Sequence, residues 1–294
     1  MQIPDEIRKC VCFLTARRNG EAWLGSGAFL SVPLGFADWN SIFVATARHC
    51  IEPLEGGDPF ESISLRLNTL NGSSEEVETD PNSWIRHPVA DVAILPIAPD
   101  QRIYDYLHYS LSRSATKEFM AEKFVGPGEE VVITGLLTYH PGTTRILPIV
   151  RVGNIAALPD EPVSLVTGPD DAVLVEVRSI GGLSGSPAFV HMPEMRRDRD
   201  GVRVWLPDER QPESALGGSN YFLGVVHGYP LTQQNDPDGI GNASPEPLNT
   251  GITVVVPVEK VLELVDDPAF VALRDVAREG LEAKSGDGLD TAEA

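Results

Sequence analysis

Cationic side chains are scarce in this 294-residue chain: 23 lysines and arginines stand against 43 aspartates and glutamates, a formal net charge of −20. That balance excludes nucleic acid and anionic membrane as expected partners, because neither phosphate surface would be neutralised. Long apolar runs are missing as well, and none approaches the roughly 18 residues of a membrane span. The opening Met1-Gln2-Ile3-Pro4-Asp5-Glu6 has no basic segment followed by an apolar one, so no secretory signal is read there. Cysteine is sparse and odd in number, only Cys10, Cys12 and Cys50. Such a set fits a reducing compartment, and a cytoplasmic location is the simplest expectation. No His-Glu-x-x-His pattern, no useful metal spacing of cysteines and no phosphate loop occurs, so neither metal nor cofactor is expected.

What is present is strand-like. Apolar residues make up 42% of the chain, ordinary for a folded protein, and the length suits one large domain or two small ones. Cys10 to Ala16 and Ala22 to Val32 read as strands, the second interrupted by Gly25 and Gly27, which suggest a bulge or bend. Ser41 to Thr46 is β-branched and aromatic, Ser62 to Leu67 alternates at period two, and Asp91 to Ile97 is apolar. These make about six strands by Ala98, enough for a small antiparallel barrel. Residues 101–124 are polar and mixed, and read as a linker. A second set of strands falls between 125 and 257, with a polar hairpin over Met195 to Asn220 and a loop over Thr232 to Thr250 placed near the functional site. Val258, Val261, Leu262 and Val265 then fall at helical spacing, and Asp267-Pro268 reads as the cap and start of another helix. Both helices, within 258–283, are expected to pack on the second barrel. The acidic tail, 284–294, is expected to be disordered.

Three short segments carry the chemistry. Ala45-Thr46-Ala47-Arg48-His49-Cys50 ends a buried strand, Asp91-Val92-Ala93-Ile94-Leu95 begins one, and Gly182-Leu183-Ser184-Gly185-Ser186-Pro187 is a tight small-residue turn. A serine hydroxyl needs a base within hydrogen-bond reach and a third group to hold that base in the right tautomer. His49, Asp91 and Ser184 supply these in order. The glycines allow the Gly182 and Ser184 N–H groups to face a developing oxyanion. The nucleophile elbow Gly-x-Ser-x-Gly is a rival, but its last position here is Ser186, and the elbow's serine–acid–histidine order is not followed. His87, four residues before Asp91, reads as an exposed turn residue.

In these motifs, with Gly25-Ser26-Gly27-Ala28, Gly128 to Gly135, Arg151 to Ile155 and Leu223-Gly224-Val225-Val226-His227-Gly228, the chain resembles the trypsin/chymotrypsin-like serine peptidases. The resemblance runs from about Arg8 to Val265. It implies an all-β fold of two antiparallel six-stranded Greek-key barrels with C-terminal helices, the first over 8–100 and the second over 125–257. It also implies an endopeptidase acting on a protein or peptide through an acyl-enzyme, with His49 as base, Asp91 as its orienting acid and Ser184 as nucleophile. Gly185 would leave room for the substrate backbone. Arg178, His227 and Gly228 would line the substrate pocket, and the first two would favour an acidic side chain before the cut, as in glutamyl endopeptidases. Secreted relatives pair the cysteine after the histidine with one on a preceding strand. Cys10 and Cys12 lie too early for that, so Cys50 is expected to be a free thiol. Leu183 stands where activatable zymogens carry an aspartate, so no N-terminal processing is expected. The alternative is a latent or inactive fold that binds a partner protein, or awaits an activating one.

Overall fold

The computed structural model describes residues 3–53, 57–158, 160–165, 168–178, 181–193, 195–197, 203–205, 219–228 and 251–287. The loop expected over Thr232 to Thr250 and the end of the acidic tail lie outside them. A short helix, α1 (Asp5–Lys9), which the sequence reading did not anticipate, leads into β1 (Val11–Arg18) and β2 (Glu21–Pro33). Asn19 and Gly20, at φ 52° and 79°, form the two-residue turn between these strands. Asn-Gly suits it because both central residues of the hairpin turn need positive φ. Next come β3 (Asn40–Thr46), β4 (Ser62–Asn68), β5 (Ser74–Thr79), β6 (Ile85–Arg86), β7 (Ala93–Pro96) and β8 (Tyr109–Ser110).

These eight strands form one sheet in the order β5-β4-β1-β2-β3-β7-β6, with β8 beside β2. Its hydrogen-bonded pairing runs from an edge at β5 to an edge at β6 without closing; with the closed barrel of the second half and the C-terminal helices it makes up the two-barrel type of fold that the resemblance implies. No bulge interrupts the β1–β2 register. Gly25 and Gly27 are glycines for a different reason: a Cβ would come within 2.8 Å of Cys50 Sγ at the first and of Leu14 Cδ1 at the second. They permit close approach across the sheet rather than a bend.

The linker is partly structured, with β8, a 3-10 turn and α2 (Lys117–Glu122), whose Thr116 Oγ1 accepts the Phe119 N–H at 3.2 Å. The second half contains β9 (Glu130–Gly135), β10 (Ile149–Ala157), β11 (Val163–Leu165), β12 (Gly168–Asp170), β13 (Val173–Glu176), β14 (Pro187–Met192), β15 (Met195–Arg197), β16 (Arg203–Trp205), β17 (Ser219–Gly228) and β18 (Ile252–Pro257). Six of them close a barrel in the order β10-β13-β18-β17-β14-β9, while β11–β12 and β15–β16 are separate hairpins. Val131, Ile133, Val175, Val190, Leu223 and Val255, fully buried, pack together within this second half.

Helices α3 (Val258–Val265) and α4 (Pro268–Asp287) follow. The Asp267 cap is realised, its Oδ1 accepting the Ala269 N–H at 2.8 Å, and the helix continues past Lys284, where the tail was expected to begin. Helix α3 packs on β17 and β18 of the second barrel, as expected, and also reaches β7 of the first half. Phe270 is fully buried with its ring 5.3 Å from that of Phe43 on β3, and Val258, Val261, Leu264 and Val265 join the same core. Burying one such phenylalanine is worth roughly 1.5–3 kcal/mol, which explains the choice of face.

Cys10, Cys12 and Cys50 are all free and buried. Burial pushes the Cys12 thiol up to about 12 and raises Cys10 as well, so both are inert packing groups. Cys50 is set differently, because a Cβ on Gly25 would lie 2.8 Å from its Sγ and 3.4 Å from its Cβ. That spacing is near what a disulfide needs. The variant Gly25→Cys should therefore form a Cys50 crosslink on oxidation and stabilise the fold by about 3 kcal/mol. Thiol titration of the oxidised, denatured variant should find two free thiols, and four would refute the geometry.

Candidate active site

His49 sits in a single 3-10 turn, Arg48–Cys50, immediately after β3. The strand stops there because Asp91 captures the turn: its Oδ1 accepts the His49 backbone N–H at 2.9 Å and its Oδ2 faces the ring Nδ1 at 2.6 Å. A carboxylate only accepts, so in the neutral ring the proton is on Nδ1 and Nε2 keeps its lone pair. The Asp91 side chain is completely buried while that of His49 is 23% exposed.

Asp91 is presented by a loop between β6 and β7 that is itself clamped. His87 N–H donates to Val92 O at 2.9 Å, and His87 Nδ1 accepts the N–H groups of Val89 and Ala90 at 3.2 and 2.8 Å. The proton of that ring is then on Nε2, which meets Glu263 Oε2 of α3 at 2.7 Å. Arg48 Nη1 donates to His87 O at 3.0 Å. His87 is 4% exposed, so it is not the exposed turn residue the sequence suggested. It is the internal brace of the acid's loop, with no local sequence signal because its partner is 176 residues away.

The serine turn packs on the first half through Ser26, which lies in the Gly25-Ser26-Gly27 motif. Ser26 N–H donates to Ser184 O at 2.8 Å, and its Oγ donates to Gly182 O at 2.8 Å while accepting the Leu136 N–H at 2.9 Å. Thr46 Oγ1 donates to Ser26 O at 2.7 Å. Gly185, at φ +83°, is pressed against this cluster, for a Cβ there would lie 2.0 Å from Ser26 O and 2.3 Å from Thr46 Oγ1. Gly185 therefore makes room for the other half of the molecule, not for a substrate backbone. Gly182, at φ +96°, is likewise a position for glycine. Neither the Gly182 nor the Ser184 N–H donates to another described residue, which leaves both available to an oxyanion.

Ser184 and Ser186 are distinguished by burial. Ser186 is fully buried, its Oγ packed where a Gly135 Cβ would come within 1.8 Å. Ser184 is partly accessible and its Oγ donates to His227 O at 3.0 Å, with no hydrogen bond to His49 among the described residues. A Cβ at Gly228, φ +140°, would lie 3.6 Å from that Oγ, so Gly228 flanks the serine.

His227 departs from its expected place. Rather than lining a pocket, it is buried with Nδ1 2.5 Å from Asp91 Oδ2, and its ring lies 5.2 Å from that of His49. Arg178 is exposed beyond β13, and no hydrogen bond among the described residues ties it to the cluster. The donor atoms of His49, Asp91 and His227 lie within 4.8 Å of one another and are of kinds that bind divalent metals. Their N–O separations of 2.5 and 2.6 Å are nevertheless those of proton bridges. Ligands about 2.0–2.2 Å from a tetrahedral zinc stand further apart.

The electrostatics follow from this geometry. Burial works to raise Asp91, but hydrogen bonds from His227 and His49 outweigh it and hold the carboxyl well below the usual range. For His49, burial disfavours the charged ring, yet the adjoining Cys50 and the Asp91 carboxylate hold it well above the ordinary histidine range.

No protein-family model and no curated protein matches the sequence. Solved structures do. One is the MamO protease domain from Magnetospirillum magneticum in its apo form, at TM-score 0.51 and 14% identity over 89% of this chain and 98% of that one. Another is a variant of the HtrA-type protease AlgW with a tripeptide, at TM-score 0.50 and 13% identity over 90% of this chain. The match spans only 62% of the AlgW chain, under two thirds of its length. At such identities the likeness speaks to architecture, and the architecture is that of the trypsin/chymotrypsin-like serine peptidases.

Proposed function

We propose that the protein is a serine endopeptidase that cleaves peptide bonds through His49, Asp91 and Ser184. The observation that carries this reading is the capture of His49 by Asp91, which grips both backbone and ring, with His227 touching both the His49 ring and the Ser184 hydroxyl. In the reaction, Ser184 Oγ turns from the His227 carbonyl to His49 Nε2. It gives up its proton there as it attacks the peptide carbonyl, and the imidazolium is held by Asp91. The Gly182 and Ser184 N–H groups receive the oxyanion. His49 then protonates the leaving amine, and water, deprotonated by His49, releases the acid and restores Ser184.

A fluorophosphonate should form one adduct on Ser184 of the full-length protein, located by mass spectrometry and absent in Ser184→Ala. In Asp91→Asn the labelling rate should fall by about 10³–10⁴-fold, since the base then has the wrong tautomer. A well-folded protein that stays unlabelled would overturn the reading.

Labelling should also depend on pH in one direction. The base must be neutral, and His49 is raised above its ordinary value near 6.5. Labelling should therefore be slow at that value, rise as pH passes through the higher midpoint of His49, and then level off. A midpoint at or below the ordinary value would contradict the His49–Asp91 pairing.

The bonding of the Ser184 hydroxyl to a carbonyl favours one further reading, a resting site that a substrate or partner protein must turn on. Preference for an acidic residue before the cut now rests on Arg178 alone, since His227 is engaged by Asp91. The free, buried state of all three cysteines supports a reducing compartment.

A further inference from the structure

We propose that a cavity between α2 and the second barrel binds small organic cations, ligands with an ammonium head on an apolar body. The site is separate from His49, Asp91 and Ser184, and its test does not depend on how those residues are read.

The cavity has a volume of about 390 Å³. Pockets that hold small molecules run from roughly 300 to 1,000 Å³ and are mostly apolar, with a few polar groups that fix the ligand's orientation. Here Met120 on α2, Val125 after it, Leu158 just past β10, Val173 at the start of β13 and Pro257 at the end of β18 supply the apolar wall. Met120, Val125 and Val173 are buried in the core of the second half, and Leu158 packs against it. The wall is therefore set by packing that the barrel needs in any case, and a ligand has little to reorganise. Pro257 pairs with Gly224 on β17, three residues before His227. That is about 10 Å along the strand, and none of the lining residues belongs to the candidate active site.

Charge selects the head of the ligand. The charged residues of the lining are Lys117, Asp160 and Asp171. Lys117 Nζ stands 3.7 Å from Asp171 Oδ2, and no ion pair reaches Asp160 among the described residues. Two carboxylates against one ammonium leave the wall with a negative charge to spare. Beside Lys117, Glu259 spends Oε1 on the Lys117 backbone N–H at 2.6 Å, while its Oε2, shut off from solvent, has no donor among the described residues. An ammonium brings three donors and no acceptor, so it is the head that these acids can hold by charge-assisted hydrogen bonds. A carboxylate head would find only Lys117, and would have to take it from Asp171. The net charge of −20 acts in the same sense, drawing cations to the surface and repelling anions.

Phenylbutylamine, phenylbutanol and phenylbutyrate carry one apolar body with a cationic, a neutral and an anionic head. Their binding to the full-length protein is read by NMR at the methionine methyl groups, since Met120 is the one of four methionines that lines the cavity. The Met120 signal should shift saturably with the amine, which should bind about fivefold or more tighter than the alcohol, near the upper limit for ion pairs at a surface. The acid should bind weakest. Asp160→Asn should weaken the amine by about threefold and leave the alcohol unchanged. Ala121→Phe, at an exposed position of α2 that lines the cavity, should fill it and abolish the shift with all three probes. Equal binding of amine and alcohol, tightest binding of the acid, or no saturable Met120 shift with any probe would overturn the proposal. So would undiminished binding by a folded Ala121→Phe. Should that variant not fold, Asp160→Asn, at an exposed position, still decides.

Discussion

A fully buried carboxylate is the constraint around which this molecule is arranged. An unpaired Asp91 in that position would be prohibitively costly, and it stays ionised only because donors converge on it from separate parts of the chain. His49 supplies a backbone and a ring N–H from 42 residues upstream, and His227 a ring N–H from 136 residues downstream. Charge-assisted hydrogen bonds of this kind are worth about 1.5–3 kcal/mol each, enough to offset burial only when several act together. The end of β3, the bend of the β6–β7 loop and the end of β17 are therefore tied to one another through the acid. Removing any donor disturbs all three.

The second constraint is steric. The serine turn must lie against β2 and β3 closely enough for Ser26 to hold the Gly182 and Ser184 carbonyls, and only glycine at 185 permits that approach. Because those carbonyls are tied down by Ser26, the N–H groups of the same turn are not consumed by it. The N–H groups that would stabilise an oxyanion thus have no hydrogen-bond acceptor among the described residues, in the same turn whose carbonyls join the two halves. His87 does the equivalent for the acid. By accepting two loop N–H groups and donating to Glu263, it fastens the Asp91 loop to α3, and Phe270 on Phe43 fastens the helices that follow.

The legible and illegible parts of the sequence divide along this line. His49, Asp91 and Ser184 each stand at the end of an apolar strand or in a glycine turn, so local pattern and chemical need agreed, and the order of the segments did the rest. The Asn19-Gly20 turn is equally legible, because Asn-Gly accepts the positive φ that a two-residue hairpin turn requires. What failed were properties that belong to pairs of distant residues. Gly25 and Gly27 looked like a bulge because glycine in a strand has two explanations, and the deciding neighbours, Cys50 and Leu14, lie on other elements. His87 and His227 were assigned to surface and pocket because their partners are 176 and 136 positions away. The helical spacing of Val258, Val261 and Val265 and their packing on the second barrel are legible, but the additional reach to the first half depends on Phe43, which meets Phe270 and is invisible from the C-terminal segment itself.

The resting position of the serine hydroxyl bears on whether such a site works. Turning Ser184 Oγ from the His227 carbonyl to His49 Nε2 exchanges one hydrogen bond for another. A net hydrogen bond contributes about 0.5–1.5 kcal/mol, so even if the carbonyl were preferred by all of it, the reactive rotamer would be depleted only about tenfold. Loss of the Asp91 partnership, by comparison, costs such enzymes about 10⁴-fold. The carbonyl bond alone is thus too weak to silence the site. The stronger interaction, the grip of Asp91 on His49, is already formed, and with it the costliest part of the geometry that the proposed reaction needs. On the peptidase reading, what a substrate has left to do is displace a hydroxyl from a carbonyl and occupy two N–H groups that have no acceptor among the described residues. A bound peptide backbone is chemically equipped for the second, and the approach of its carbonyl carbon favours the first.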